Sequence, residues 1–249
     1  MKKLFCLALI SFAFFSFTNY NLWKAEPLRK INFPSTDGLP ITADLYFVND
    51  SLPYMVLCHQ AGYSRGEYAE TADKFCRLGY NCIAIDARSG NEVNGVINET
   101  AQLAASEKKS TQYLDAERDI LSAIDYANKQ NGKKIVLVGS SYSASIALKL
   151  AATNPKIGAV IAFSPGNYFG STFQLKDVMN KLSVPAFVTS SKDESSQINI
   201  LMSDVKLNIV KQFIPTSQGK HGSSCLWKNS PGYNEYWAAL FMFLHQFNS

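Results

Sequence analysis

The feature that most constrains the fold is an alternation of short apolar runs with longer helical patterns. Most of these runs are rich in Val, Ile and Leu and bounded by Gly or Pro, which is typical of strands buried on both faces. The first two runs flank Asp37-Gly38, a dipeptide that favours a hairpin turn. A hairpin followed by strand–helix–strand units predicts an α/β fold, a mostly parallel eight-stranded sheet with helices on both faces. The predicted strands are 30–33, 42–47, 54–59, 81–86, 134–139, 157–163, 186–190 and 208–214.

The helical patterns lie between these strands. The predicted helices are 67–78, 115–129, 144–153, 175–181, 196–207 and 234–247. Residues 90–113 are polar, rich in Asn, Ser and Lys, and have no clear periodic pattern. Connections of this length in compact domains tend to be functional or mobile. We therefore expect this segment to form part of the wall of a binding pocket.

The N-terminal residues have the pattern of a targeting segment. Lys2 and Lys3 precede an apolar run, residues 4–17, that only Ser11 and Ser16 interrupt. This run is shorter than the roughly 20 residues that a membrane-spanning helix needs, and it fits a secretory signal peptide. We predict a signal peptide over residues 1–18, with an uncleaved N-terminal anchor as the alternative, and one folded domain over residues 29–249. The protein is expected to be secreted or periplasmic, and to touch a membrane only through that segment if it is not cleaved.

Composition excludes several classes of protein. A chain that is 47% hydrophobic and 18% charged is neither disordered nor collagen-like nor a coiled coil. The net charge of +4 comes with no long basic run, so nucleic-acid binding is not expected. The five cysteines match no zinc-site spacing, and neither a metal nor an organic cofactor is implied. Whether the cysteines after the signal segment are paired or are buried free thiols is left open by the sequence.

A serine-rich turn follows the fifth predicted strand. The strand ends in Gly139-Ser140-Ser141-Tyr142-Ser143 and runs directly into a helical pattern. A nucleophile elbow requires this strand–turn–helix context, with small residues two positions before and after the nucleophile. Gly139 and Ser143 meet that requirement, although the pattern is G-x-S-x-S rather than G-x-S-x-G. Ser141 is the candidate nucleophile; the alternative is a serine-rich helix N-cap.

A serine nucleophile needs a base, and the chain has three histidines. His59 ends an early strand, before the nucleophile. His245 lies in the C-terminal helical pattern, where a structural role is the better interpretation. His221 follows the last predicted strand in a loop flanked by Gly219 and Gly222. His221 is therefore the predicted base; the alternative is a solvated loop histidine.

The acid is expected in the loop after the preceding strand. This loop ends in Lys192-Asp193-Glu194. Asp193 is the first choice and Glu194 the second; the alternative for each is a solvated surface charge. The order Ser141, Asp193, His221 matches the chain order Ser…Asp/Glu…His of one family of hydrolases.

With these residues in place, the chain looks like an α/β-hydrolase and resembles the dienelactone-hydrolase-like group over roughly residues 29–247. Two further segments carry the resemblance, His59-Gln60-Ala61-Gly62-Tyr63-Ser64-Arg65-Gly66-Glu67 and Asp86-Ala87-Arg88-Ser89-Gly90. The resemblance implies an oxyanion hole formed by the amide of Tyr142 and that of either Gln60 or Ala61. It also implies structural roles for His59 and for the Asp-x-Arg turn.

Two departures from the family bear on function. Named dienelactone hydrolases use a cysteine nucleophile, whereas this chain has Ser141, which argues against dienelactone as the substrate. Ser143 replaces the last glycine of the elbow. The expected function is an exported serine hydrolase that cleaves small-molecule carboxylic esters through an acyl-enzyme. A peptidase or acyltransferase on the same triad, and a non-catalytic binding protein on the same fold, are the alternatives. Tyr168 and Phe169, after a predicted strand, are candidates for substrate binding or for core packing.

Overall fold

The computed structural model describes residues 28–203, 205 and 208–246, so the predicted signal peptide lies outside the described residues. Eight strands form the main sheet, and two short ones form a separate hairpin. The strands are β1 (Arg29–Pro34), β2 (Pro40–Tyr46), β3 (Tyr54–Cys58), β4 (Asn81–Ile85), β5 (Glu92–Val93), β6 (Val96–Ile97), β7 (Ile135–Ser140), β8 (Ile157–Phe163), β9 (Ala186–Thr189) and β10 (Val210–Phe213). All eight strands predicted for the main sheet are confirmed, with ends that move by a few residues.

The sheet has the order β1-β2-β4-β3-β7-β8-β9-β10. Strand β2 runs antiparallel to its neighbours β1 and β4, and the other neighbouring pairs are parallel. The predicted α/β class and the mostly parallel sheet are therefore confirmed. Because parallel strands point the same way, the loops after β3, β7, β8 and β9 meet at one edge of the sheet, where ligands of open α/β sheets bind.

Seven α-helices lie in the described part of the chain. They are α1 (Ala72–Arg77), α2 (Glu99–Ser106), α3 (Ala116–Asn131), α4 (Tyr142–Ala151), α5 (Leu175–Met179), α6 (Ser195–Met202) and α7 (Tyr233–His245). The predicted helix 67–78 is divided into a 3₁₀ turn, Arg65–Tyr68, and α1. The division has a tertiary cause, because the Glu67 and Tyr68 side chains form hydrogen bonds inside the protein.

Residues 90–113 are more ordered than the sequence predicts. They contain the β5–β6 hairpin and α2. Asn98 begins α2 as its N-cap, since its side-chain oxygen accepts the Ala101 N–H at 2.8 Å. Its amide nitrogen donates to Ala87 O at 2.8 Å. A helix this short has too few turns to display a period, so capping and tertiary contacts decide its formation.

Helices cover both faces of the sheet, as predicted. One apolar cluster joins the sheet to α3 and α4, and the other joins it to α1 and α7. Strand β3 shows how the sheet separates them, because Val56 faces the first cluster while Met55 and Leu57 face the second. The four cysteines among the described residues are buried free thiols. No helix in the described part of the chain is long and apolar enough to cross a membrane.

Candidate active site

Ser141 lies on the sharp turn that joins β7 to α4. Its backbone has φ 59° and ψ −123°, a conformation that costs a residue with a Cβ on the order of 1–3 kcal/mol and that persists only where the surroundings enforce it. The Ser141 N–H donates to Phe163 O, at the end of β8, at 2.8 Å. The turn therefore holds the serine at the carboxyl edge of the sheet, immediately before the N-terminus of a helix.

The small residues on either side of Ser141 have different reasons to be small. A Cβ on Gly139 would lie 2.5 Å from Ala144 Cα, so only glycine fits there. Ser143, by contrast, uses its side chain: its Oγ accepts the Ser140 N–H at 2.8 Å and lies 2.8 Å from Cys58 O, to which it can donate. The serine that replaces the usual glycine therefore attaches the elbow to the end of β3.

His221 contacts Glu194 and not Asp193. Its Nδ1 hydrogen-bonds Glu194 Oε1, whereas the Asp193 carboxylate accepts a hydrogen bond from the exposed side chain of Gln218. The sequence-based choice of Asp193 as the acid beside His221 is thus corrected to the second candidate, Glu194. The side chains of two adjacent residues in a turn point in different directions. Which of the two carboxylates points inward depends on where the protein offers hydrogen-bond donors.

Besides the contact with His221, the Glu194 carboxylate accepts three hydrogen bonds, all on its other oxygen. Its Oε2 accepts from Ser164 Oγ at 2.7 Å, Ser191 Oγ at 2.9 Å and Ser191 N at 3.1 Å. Burial raises the pKa of Glu194, but the hydrogen bonds from His221, Ser164 and Ser191 prevail and lower it to about 2. The hydrogen bond to Glu194 in turn raises the pKa of His221 above its usual value, against the opposing effect of burial. Glu194 is therefore an ionised carboxylate, and it stabilises the protonated, imidazolium form of His221.

The loop that carries His221 packs against the elbow. The Ser223 N–H donates to Ser140 Oγ at 2.8 Å, and the Gly222 N–H donates to Ser164 Oγ at 3.0 Å. Gly222 has φ +67°, and a Cβ there would lie 2.3 Å from Ser140 Oγ. No hydrogen bond joins Ser141 Oγ to His221 among the described residues; such bonds are often long in unliganded sites. Since Glu194 occupies Nδ1, the proton acceptor left to His221 is Nε2.

The loop after β3 and the start of α4 supply the candidate amide donors of an oxyanion hole. The Gln60 N–H is already used, because it donates to Glu67 Oε2 at 2.7 Å. The Ala61 N–H, by contrast, has no acceptor within the described part of the chain. Tyr142 is the first residue of α4, and the first N–H groups of a helix have no intrahelical acceptor. Of the two alternatives for the loop after β3, the structure therefore favours Ala61 over Gln60.

The other two histidines are placed away from this chemistry. His59 is fully buried; its Nε2 accepts the Ala87 N–H at 2.9 Å, and its Nδ1 lies 2.8 Å from Gln60 O. Both ring nitrogens are thus used within the protein, which is the structural role expected for His59. His245 is exposed on α7 beside the Phe241 ring.

The Asp-x-Arg turn after β4 holds neighbouring loops together. Arg88 is buried and forms ion pairs with Asp119 and Asp37 at 2.7 Å. Asp86 accepts from Arg65, which also pairs with Asp44 at 3.0 Å. The charges of both arginines are therefore compensated by internal carboxylates, as a scaffolding role requires.

A cavity of about 460 Å³ opens beside Tyr142. Tyr113 stacks on the Tyr142 ring with centroids 4.8 Å apart, and Ser89 Oγ lies 2.5 Å from the Tyr142 hydroxyl. Gly62, next to Ala61, lines the same cavity. The lining residues are Gly62, Arg88, Ser89, Gly90, Asn91, Asn98, Ala101, Gln102, Ala105, Thr111 and Tyr113. Residues 90–113 therefore supply much of its wall.

The two aromatic candidates after β8 differ in position. Tyr168 is 43% exposed, lines a second cavity of about 160 Å³ together with Glu194, and lies beside the Ser141 side chain. Phe169 packs against the hydrophobic core and stacks on Phe173 at 4.9 Å. The structure thus places Tyr168 in a cavity beside Ser141, whereas Phe169 has the packing position that was its alternative.

Known structures share this fold. An esterase from Pyrococcus furiosus has a TM-score of 0.65 and 16% identity, over 88% of this chain and 92% of that chain. A putative dienelactone hydrolase from Klebsiella pneumoniae has a TM-score of 0.63 and 14% identity, over 88% and 98%. An acylaminoacyl peptidase from Pyrococcus horikoshii has a TM-score of 0.62 and 16% identity, over 89% of this chain but 41% of that one. Because these sequence identities are low, the structural similarities establish the α/β-hydrolase fold alone.

The sequence comparisons bear on the family. A search of curated proteins found no significant match. The family model described as Dienelactone hydrolase family matches residues 47–207, more than half of the 249 residues. That range contains the loop after β3, the turn at Ser141 and the Glu194 carboxylate that contacts His221. On this match, and with the fold and site geometry in agreement, the chain belongs to the dienelactone hydrolase family.

Proposed function

We propose that this protein is a serine hydrolase that cleaves carboxylic esters of small molecules through an acyl-enzyme. Family membership supports an enzyme that acts on ester bonds. One observation carries the assignment of a serine nucleophile. The Ser141 backbone is strained, and its neighbour Ser140 contacts the loop that carries His221, the partner of Glu194. Strain of this kind is characteristic of functional positions.

The reaction follows from the atoms available. Ser141 Oγ attacks the ester carbonyl while His221 Nε2 takes its proton, and the Ala61 and Tyr142 amides stabilise the oxyanion. His221 then donates that proton to the leaving alcohol, which leaves an ester between Ser141 and the acyl group. Water, deprotonated by His221, attacks this ester, and the acid departs with Ser141 Oγ protonated again. Glu194 holds Nδ1–H throughout and stabilises the imidazolium.

A burst experiment tests this proposal. With a chromogenic short-chain ester, whose activated alcohol leaves readily and makes acylation faster than deacylation, close to one equivalent of alcohol per enzyme molecule should be released before the steady state. A serine-reactive phosphonate should abolish the burst and label the peptide that contains Ser141. Labelling at another residue, or turnover that survives complete labelling, would contradict the proposal.

The cavity beside Tyr142 favours an uncharged polar substrate group. The side chains of Asn91, Gln102 and Thr111 line it and have no hydrogen-bond partner among the described residues. The only charged lining residue, Arg88, is neutralised by internal carboxylates. Tyr113, 46% exposed, adds an aromatic face. Amide and hydroxyl groups around an aromatic face suit a neutral group that carries several hydroxyls, so we propose esters of polyols or sugars as substrates.

Tyr113→Ala tests the role of this cavity. We expect kcat/KM for a glycerol or monosaccharide acetate to fall about tenfold, which corresponds to the loss of about 1.4 kcal/mol of contact with the aromatic face. A small chromogenic acetate, which does not fill the cavity, should be hydrolysed nearly as before. Tyr233→Ala, at the start of α7, is the matched control and should change neither rate. Equal losses for both esters, or no loss for either, would refute this substrate class.

A peptidase or an acyltransferase on the same residues remains the second candidate function, and the fold similarity to an acylaminoacyl peptidase favours testing it. Amide bonds require stronger protonation of the leaving group than esters do. Acylated peptides offered beside the esters, and alcohols offered beside water, separate these activities from hydrolysis of esters. A protein that bound esters without turning them over would instead be a non-catalytic binder.

Export is also part of the proposal and is supported by the sequence of residues 1–18 alone. Removal of the segment should leave a mature protein that lacks about 18 N-terminal residues. Mass spectrometry of protein recovered outside the cytoplasm measures this directly. An intact N-terminus on membrane-bound protein would support the anchor instead.

A further inference from the structure

A buried carboxylate lies behind the proposed site and has no part in the mechanism above. Glu67 is 0% exposed. An isolated carboxylate is costly to bury, so its surroundings must supply hydrogen-bond donors. Its backbone is also held, because Trp227 Nε1 donates to Glu67 O at 2.9 Å.

Three donors meet the Glu67 carboxylate, and each comes from a different segment of the chain. Oε1 accepts from Ser140 Oγ and from Ser223 Oγ, both at 2.7 Å, and Oε2 accepts from Gln60 N at 2.7 Å. Ser140 Oγ also accepts the Ser223 N–H at 2.8 Å. Since that hydroxyl is already an acceptor for the Ser223 N–H, its own proton is directed to Glu67 Oε1, which accepts it.

Each donor is a chain neighbour of a group that the mechanism uses. Ser140 precedes the nucleophile, Gln60 precedes the oxyanion donor Ala61, and Ser223 lies two residues after the base His221. One side chain thus contacts the three segments whose relative positions set the geometry of the reaction. By occupying the Gln60 N–H, it also fixes the peptide that precedes the Ala61 N–H.

We propose that Glu67 is a positioning residue for ester hydrolysis: its carboxylate holds the nucleophile, the oxyanion amide and the base in register. This inference rests on the proposed function and deepens it. Misplacement of reacting groups by about 1 Å can cost on the order of 100-fold in rate. Loss of the Glu67 contacts should therefore lower kcat while KM changes little, because Glu67 does not touch the substrate.

The charge of Glu67 gives the proposal a second readout. Burial raises the pKa of Glu67 above its usual value, against the opposing effect of the hydrogen bonds from Ser223, Ser140 and Gln60. When ionised, Glu67 adds to the larger effect of Glu194, and both raise the pKa of His221. Glu67 also influences the pKa values of five thiols and phenols, and burial raises the pKa of each, so all five are neutral. They are Cys58, Tyr63, Tyr68, Tyr142 and Cys225. His59 also lies within the electrostatic range of Glu67. Removal of this charge should lower the pKa of His221 and move the acidic limb of the rate profile to lower pH.

Glu67→Gln in the full-length protein is the test. The substitution keeps the shape of the side chain, but the new amide nitrogen is itself a donor and faces another donor, either a serine hydroxyl or the Gln60 N–H. At least one hydrogen bond is therefore lost. With active sites counted by phosphonate titration, we expect kcat to fall about 100-fold, KM to stay within about threefold, and the acidic limb to move to lower pH. Glu67→Asp, which keeps the charge, should keep the wild-type acidic limb and recover part of kcat. Glu70→Gln, three residues on at the surface, is the matched control and should be silent.

Several outcomes would overturn the inference. An unchanged kcat per titrated site, or a lower kcat with the acidic limb unmoved, would reduce Glu67 to a contributor to folding. If Glu67→Gln does not fold, Ser223→Ala serves instead, because it keeps the Glu67 carboxylate and removes one of its donors. This variant should lower kcat about tenfold with KM unchanged. An unchanged kcat would refute the proposal. Absence of both ester turnover and phosphonate labelling of Ser141 in the wild-type protein would refute the proposed function itself, which distinguishes the two failures.

Discussion

Ser141→Ala is expected to lower kcat for a chromogenic ester by about 10⁴–10⁶-fold, the usual cost of removing the nucleophile of a triad. The Oγ that attacks the carbonyl is lost, while the amides of Ala61 and Tyr142 and the pair of Glu194 and His221 remain. The fold should be kept, because the structural contact of Ser141 is made by its backbone N–H to Phe163 O. Steady-state kinetics together with a thermal unfolding curve measure both quantities.

Ser106→Ala is the matched control for this variant. Ser106 is exposed and donates to Leu103 O at the end of α2, so its loss should leave turnover unchanged. A Ser141→Ala protein that folds and keeps more than a small fraction of wild-type turnover would show that the nucleophile is a different residue.

Glu194→Gln is expected to lower kcat by about 10⁴-fold, as the corresponding change does in the serine-protease template, with KM nearly unchanged. The neutral amide cannot stabilise the imidazolium, and its N–H₂ group can force the wrong tautomer on His221. Asp193→Asn should be nearly silent, because that carboxylate lies outside the pair and contacts Gln218. The sequence alone predicts the opposite ranking, so the two variants together decide between the adjacent acids. Damage from Asp193→Asn with a mild Glu194→Gln would contradict the geometry.

The pH profile adds a signed test of the same pair. His221 acts as a base only when neutral, so activity should rise with pH through its pKa. Because Glu194 raises that pKa above the ordinary 6.5, the wild-type midpoint should lie above 6.5, and Glu194→Gln should move it downward. Glu194 itself, with a pKa of about 2, stays ionised over the assay range and adds no second acidic limb. A midpoint that Glu194→Gln leaves unmoved would separate Glu194 from His221.

Local patterns in the chain were sufficient for the sheet and the elbow. Buried parallel strands are continuous apolar runs, so their positions can be read without knowledge of their neighbours. The elbow is likewise local, because a strand, a tight turn with small residues and a helix follow one another directly. The same reasoning missed α2, whose formation depends on the Asn98 cap and on contacts of that side chain with distant backbone.

The sequence by itself determined the order of elements and candidate residues along the chain. A hairpin comes first, parallel strand–helix units follow, and a serine, an acid and a histidine come after β7, β9 and β10. Only the tertiary structure decided which atoms meet. Ser164 and Ser191 receive the Glu194 carboxylate and leave Asp193 outside, and Glu67 takes the Gln60 amide and leaves that of Ala61 available. Both choices lie between adjacent residues of the same loop, where periodicity carries no information. Hydrogen bonds decide both choices. Most of their partners are distant in sequence, and those contacts form only once the sheet has brought the loops to one edge.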